Sequence, residues 1–202
     1  MLRNAKLYED QIKRAFVEVW YDPDYQYYFD DSGRWANWCI DDCSSRMHFV
    51  SVDNDGNLLG YITYGFSRDC GSCYCFGAIN FHKEKYNMTF AIDLRQCICD
   101  IFFKYNFNRI DFSCFSGNPA LCGYRDFIKR YGGREVGVFH NSTITLSGEM
   151  QNSHMFEVMK EDLIVDAKSG KPKLLHDCER INPTNSKKKR RNGKHDSIRQ
   201  NN

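Results

Sequence analysis

Apolar residues recur at helical spacing in some stretches of this chain and at every second position in others. Tyr8, Ile12, Ala15, Phe16, Val19 and Trp20 keep the helical period, which predicts an amphipathic helix over 5–20 that Asp22-Pro23-Asp24 ends. Trp35, Trp38 and Cys39 fall on one face of a short second helix at about 34–43. His48 to Val52, Leu58 to Phe66 and Cys73 to Phe81 read as strands, rich in β-branched and aromatic residues. The turn sequences Asp53-Asn54-Asp55-Gly56-Asn57 and Asp69-Cys70-Gly71-Ser72 join them, so the three make an antiparallel meander.

After the meander the period changes. Leu94, Ile98, Ile101, Phe102 and Tyr105 mark a long helix that Asn106-Phe107-Asn108 breaks. Ile110, Phe112 and Cys114 then alternate with Asp111 and Ser113 in a fourth strand. A strand, a crossover helix and a strand imply parallel pairing there. Gly117-Asn118-Pro119 turns into another helix, with Leu121, Tyr124, Ile128 and Tyr131 on one face, and Gly132-Gly133 stops it. Arg134 to Leu146 and Ser153 to Met159 close the pattern as a hairpin around Ser147-Gly148-Glu149. The fold class is α/β (α+β): a central mixed, mostly antiparallel twisted sheet flanked by helices, in the order α-α-β-β-β-α-β-α-β-β.

Charge divides the chain. Residues 167–202 hold 11 Lys/Arg and 3 Asp/Glu, a net of +8, while residues 1–166 hold 17 and 23, a net of −6. The expected division is a folded domain over 1–166 and a basic tail over 167–202 without fixed structure. Its run Lys187, Lys188, Lys189, Arg190 and Arg191 can meet nucleic acid or another acidic surface, though a solvated terminus is the commoner explanation. Without interleaved aromatics, such binding would be blind to sequence. No stretch has the apolar length to span a bilayer, and the first residues lead into charge rather than an apolar signal segment. The expectation is a cytoplasmic protein that does not engage membranes, its 10 cysteines held as thiols.

Cys70-Gly71-Ser72-Cys73-Tyr74-Cys75 has the pair spacing of a zinc knuckle, but no second pair matches it. Alternation sends Cys73 and Cys75 to one face of the strand, and a tight turn with small apolar residues accounts for the motif without a metal. Cys97, Cys99, Cys114 and Cys122 read as small core residues.

The junction Phe81-His82-Lys83-Glu84-Lys85-Tyr86-Asn87-Met88-Thr89-Phe90-Ala91 carries an apolar strand into a cation-bearing loop that opens the long helix. The N–H groups of a helix start attract anions. Asn118 follows the next strand, and Tyr131-Gly132-Gly133-Arg134-Glu135-Val136-Gly137 passes from helix to strand. In these features, and in the element order over 5–162, the chain resembles the GNAT superfamily of acetyl-CoA-dependent N-acetyltransferases. The family's loop pattern, Gln/Arg-x-x-Gly-x-Gly/Ala, falls on Tyr86 to Ala91, where only Ala91 matches.

The resemblance implies acetyl-CoA as co-substrate, lying where the third strand splays from the fourth. It implies a pantetheine arm on backbone groups near Ile79 and Phe81. It puts the diphosphate on the N–H groups of Tyr86, Asn87, Met88, Thr89, Phe90 and Ala91, with Lys83 and Lys85 as nearby cations and Asn118 as a further cofactor contact. Tyr124 is the implied proton donor to the leaving thiolate, although its place on the apolar face suits a core aromatic too. The acceptor would be a primary amine of a protein, peptide or small molecule. No base is obvious: His82, Glu84 and His140 lie where one could reach the cleft, but exposed loop positions explain each better. Tyr25, Tyr27, Tyr28, Phe29, Trp35 and Trp38 fall where the family builds one wall of the acceptor site. The alternative is a GNAT-like module without turnover that binds CoA or serves regulation, its basic tail touching nucleic acid.

Overall fold

In the computed structural model, residues 1–19, 22–28, 40, 45–82, 88–145 and 147–181 are described. Seven strands form one sheet in the order β1-β2-β3-β4-β5-β7-β6. They are β1 (Leu2–Asn4), β2 (Arg46–Val52), β3 (Leu58–Ser67), β4 (Ser72–Asn80), β5 (Arg109–Phe115), β6 (Arg134–Ile144) and β7 (Met150–Met159). Every neighbouring pair is antiparallel except β4 and β5. The helices are α1 (Glu9–Val19), α2 (Met88–Phe103), α3 (Ala120–Tyr131) and α4 (Lys173–Ile181). Short 3-10 helices cover Ala5–Tyr8 and Pro23–Tyr28.

The two sheet faces bury different sets of side chains. On one face Ile12, Phe16 and Val19 of α1 pack on Val50, Tyr61 and Ile79. Their spacing along α1 is the spacing that the sequence showed. Phe90, Cys97, Ile98, Ile101 and Phe102 of α2 cover the other face, against Ile62, Tyr64, Phe76, Ile110, Phe112 and Phe156. Fully buried rings such as Phe102 and Phe156 each stabilise the fold by about 1.5–3 kcal/mol. Gly60 lets the start of α2 come this close, because a Cβ on it would strike the Phe90 ring and lie 2.5 Å from the Ile79 carbonyl oxygen. At the other end of α3, Gly132 adopts φ 102° and donates its N–H to the Ile128 carbonyl (2.9 Å), which ends the helix as expected.

Three differences from the sequence expectation matter. A strand of three residues, β1, precedes the first helix and pairs with β2, too short to carry a period of its own. The closing hairpin begins its second strand at Met150 rather than Ser153. The chain beyond 166 does not become tail at once. Val165 bridges to Pro172, and α4 then buries Leu174 and Cys178 in the α2-side core. The fold therefore extends to Ile181. Lys187 to Arg191, the second helix expected at 34–43 apart from Ile40, Phe29, Trp35 and Trp38 lie outside the described residues.

The eight described cysteines are free thiols. Burial pushes the Cys73 and Cys114 thiols up to about 12, and Cys97 goes up further for the same reason. Cys73 and Cys75 do not share a face. Cys75 sits at φ 50° beside the register shift between Thr63 and Gly65, so it is exposed while Cys73 is buried. Among the described residues, no cluster of three or more His, Cys, Asp or Glu is placed to hold a metal, and no helix is long and apolar enough to cross a membrane.

Candidate active site

Strands β4 and β5 pair over two rungs only, Ser72 with Arg109 and Cys73 with Ile110. Beyond Cys73 the bulged backbone turns β4 away, and the two strands part. A groove of about 820 Å³ opens between them and between the helices that follow each strand. Phe76, Ala78 and Asn80 of β4 line one side. Phe90, Ala91, Leu94 and Ile98 of α2 line a second, and Phe112, Tyr124, Phe127 and Tyr131 of β5 and α3 close the rest.

The open edge of β4 offers backbone hydrogen bonds. In the β3–β4 ladder the Phe81 N–H donates to the Leu59 carbonyl at 3.0 Å, and Ile79 lies opposite Tyr61. Antiparallel alternation then turns the N–H and C=O of Phe81 and Ile79 toward β3, and those of Ala78 and Asn80 toward the groove. The side chains agree: Ile79 is buried in the α1-side core, and the Phe81 ring stands edge-on to Phe16, centroids 5.3 Å apart. Of the backbone expected to meet the cofactor near Ile79 and Phe81, those two residues thus face β3, and Ala78 and Asn80, before and between them, face the groove. A one-residue shift in a strand exchanges its two sides, so the register decides which backbone groups the groove receives.

Helix α2 presents its first turn at the mouth of the same groove. Met88 and Thr89 are exposed, while Phe90 and Ala91 line the groove wall. A helix start concentrates the positive end of the helix dipole, which draws anions. No acidic side chain occupies that turn. Tyr86 and Asn87, expected to share in phosphate binding, lie outside the described residues, as do Lys83, Glu84 and Lys85.

Tyr124 stands in the groove wall, its ring 4.9 Å from Phe112 and 6.2 Å from Phe156. Those two rings fix the tyrosine from the sheet side. Asn118 does not line the groove. Its Oδ1 accepts the Ala120 N–H at 2.9 Å and its backbone carbonyl accepts from Leu121, so it caps α3 and sets where that wall begins. Among the histidines named for a base, His82 lies 3.0 Å from the Leu58 carbonyl through Nε2, and His140 sits exposed on β6.

Sequence reading missed the far end of the groove. Arg95 and Arg130 both approach the Tyr131 ring, 6.0 Å and 5.2 Å from its centroid. Asp177 of α4 accepts from Arg130 Nη2 at 2.7 Å and from the Tyr131 hydroxyl at 3.0 Å. Burial works to raise the Asp177 carboxyl, but these two hydrogen bonds outweigh it and hold the group below its ordinary value. Burial in turn pushes the Tyr131 hydroxyl up to about 12. Leu174, Leu175, Cys178 and Ile181 at helical spacing were the available sign of α4. The 3-10 segment Pro23–Tyr28 brings the Tyr27 ring to within 2.6 Å of where a Gly117 Cβ would stand. Gly117 donates its N–H to Gln151 Oε1 at 2.8 Å.

No protein-family model matches this sequence, and no curated protein matches it. Solved structures do. A spermidine N-acetyltransferase from Vibrio cholerae, in complex with CoA and spermine, superposes with a TM-score of 0.62 at 17% identity, covering 80% of this chain and 96% of that one. The fold is that of the GNAT acetyltransferases. A probable GNAT-family acetyltransferase from Chromobacterium violaceum gives 0.57 at 16% identity, over 80% of this chain and 82% of that one. The GNAT fold accounts for the parallel β4–β5 pair in an otherwise antiparallel sheet.

Proposed function

We propose that this protein is an N-acetyltransferase that moves an acetyl group from acetyl-CoA to a primary amine. The parting of β4 from β5 after two rungs carries the reading. It leaves a bare strand edge, an apolar groove and a helix start without acidic side chains in one place, which suit an amide-bearing, apolar arm ending in a diphosphate. The pantetheine amides bond the N–H and C=O of Ala78 and Asn80 as an added strand would. The diphosphate meets the α2 N-terminus at Met88, Thr89, Phe90 and Ala91. Asn118 serves this site by capping α3.

The amine nitrogen attacks the thioester carbonyl carbon, the new C–N bond forms and the C–S bond breaks. The Tyr124 hydroxyl gives its proton to the departing sulfur, and the proton shed by the amine leaves to water. Tyr27, packed on Gly117, stands at the C-terminal end of β5, where an amine can approach. An aromatic wall there suits a cationic amine by cation–π attraction. Spermidine is a reasonable member of the first acceptor panel, since the Vibrio cholerae enzyme is a spermidine N-acetyltransferase.

The experiment is a thermal-shift titration with acetyl-CoA, followed by CoA thiol release with spermidine, other polyamines and lysine peptides. Acetyl-CoA raises the melting temperature by mass action, and thiol appears only when an amine is present. No shift at millimolar acetyl-CoA, together with no thiol release, would overturn the proposal.

A further inference from the structure

Four elements converge on a second cluster beside α3, none of whose side chains lines the groove. It consists of Ser116 just past β5, Arg125 on α3, Glu135 on β6 and His154 on β7. His154 lies opposite Cys114 of β5 and Val138 of β6, and Glu135 opposite the buried Phe156. That register places His154 and Glu135 on the face that α3 covers. His154 Nδ1 is 2.6 Å from Glu135 Oε1, and His154 Nε2 is 3.1 Å from Ser116 Oγ. Arg125 holds the carboxylate from its other side, Nε to Oε2 at 3.2 Å and Nη2 to Oε1 at 3.4 Å, with Nη2 also 3.3 Å from His154 Nδ1. Ser116 Oγ has the Asn152 carbonyl as a second, longer partner at 3.3 Å.

This is the geometry of a hydroxyl, a base and an orienting acid in series. A carboxylate at Nδ1 favours the tautomer with its proton there, which leaves Nε2 to accept from Ser116. His154 is mostly buried and Ser116 is exposed, so the base is fixed while the nucleophile meets solvent. We propose that Ser116 is a nucleophile, with His154 as its base and Glu135 as the positioning residue, that takes the acyl group of small unhindered esters independently of the groove. Ser116 Oγ gives its proton to Nε2 and bonds the carbonyl carbon. The ester C–O bond breaks, and the alcohol leaves with the proton from His154. Water repeats the sequence and frees the acid.

The neighbouring backbone predicts the pace. The N–H groups of Ser116, Gly117 and Asn118 donate to the Asn152 carbonyl, Gln151 Oε1 and the Phe115 carbonyl. The loop therefore offers no N–H pair to a developing oxyanion, leaving that charge to the Arg125 guanidinium. Slow turnover with ready covalent capture is the expected behaviour.

The test is labelling of the whole protein with a fluorophosphonate, in which Ser116 Oγ bonds phosphorus and fluoride leaves, followed by mass mapping. One phosphonyl group per chain is expected on Ser116 of the native protein, and none after heat denaturation. Ser116→Ala removes it, and His154→Gln and Glu135→Gln each slow it by at least about 10-fold. Circular dichroism identifies folded variants. No adduct on Ser116, or an adduct forming at the native rate in either folded variant, overturns the assignment.

Discussion

Gly123 lies within α3 and lines the groove, and a Cβ built on it meets nothing within 4 Å. Two substitutions there separate folding from binding. In a helix interior, Gly→Ala gains about 0.5–1 kcal/mol, because alanine loses less backbone freedom and introduces no clash here. For a domain of this size that raises Tm by about 1–4 °C. Gly123→Phe directs a ring into the groove instead. A ligand must expel it, forgoing the roughly 1.5–3 kcal/mol that burying a phenylalanine contributes, so acetyl-CoA binds about 10–100-fold more weakly. Calorimetric titration of wild type and both variants, alongside their melting curves, reads the two effects separately. Wild-type affinity in a folded Gly123→Phe protein would refute the placement of the cofactor. A lower Tm in Gly123→Ala would refute the claim that this position is open.

Three further outcomes follow from particular contacts. Leu174→Ala, at a fully buried position of α4, costs about 2–5 kcal/mol and lowers Tm by about 4–20 °C, whereas a wild-type Tm would show that α4 is not part of the fold. Tyr124→Phe keeps acetyl-CoA affinity and lowers kcat by about 100-fold or more, and full turnover would return Tyr124 to a packing role. The hydrogen bond to His154, then those from Arg125, hold Glu135 below its ordinary value of 4.5. A depressed acid contributes stability above its unfolded value and loses it as pH falls through the folded one. Below about pH 4.5, therefore, the Tm of wild type falls more steeply than that of Glu135→Gln, and parallel curves would contradict the linkage.

Much of the fold was legible in the chain because periods of two and of three to four residues write burial directly into sequence. Ile12, Phe16 and Val19 announced α1, and Ile98, Ile101 and Phe102 announced α2, since each face meets one sheet. The parallel pair was also legible, because a helix must carry the chain back between β4 and β5. What stayed hidden depends on long-range geometry. Nothing in Tyr74-Cys75 says that the backbone kinks there, yet that kink opens the groove and sets which residues face it. Tyr124 could be named as a groove tyrosine through the family resemblance, whereas its fixing by Phe112 and Phe156 needed coordinates. Ser116, Glu135 and His154 lie on different strands or strand ends, and a register with two bulges in β6 joins them. No local spacing reports such a meeting.

The shortness of the β4–β5 ladder also bears on mechanics. Two rungs stitch the first four strands to the last three, so the sheet behaves as two leaves on a narrow spine, kept together chiefly by the helices clasped over one side. An extended molecule lying in the gap would act as a plank between the leaves, bonded to one and wedged against the other. Occupancy and rigidity then rise together: amide hydrogens along the inner margins of both leaves exchange quickly in the empty protein and slowly in the filled one.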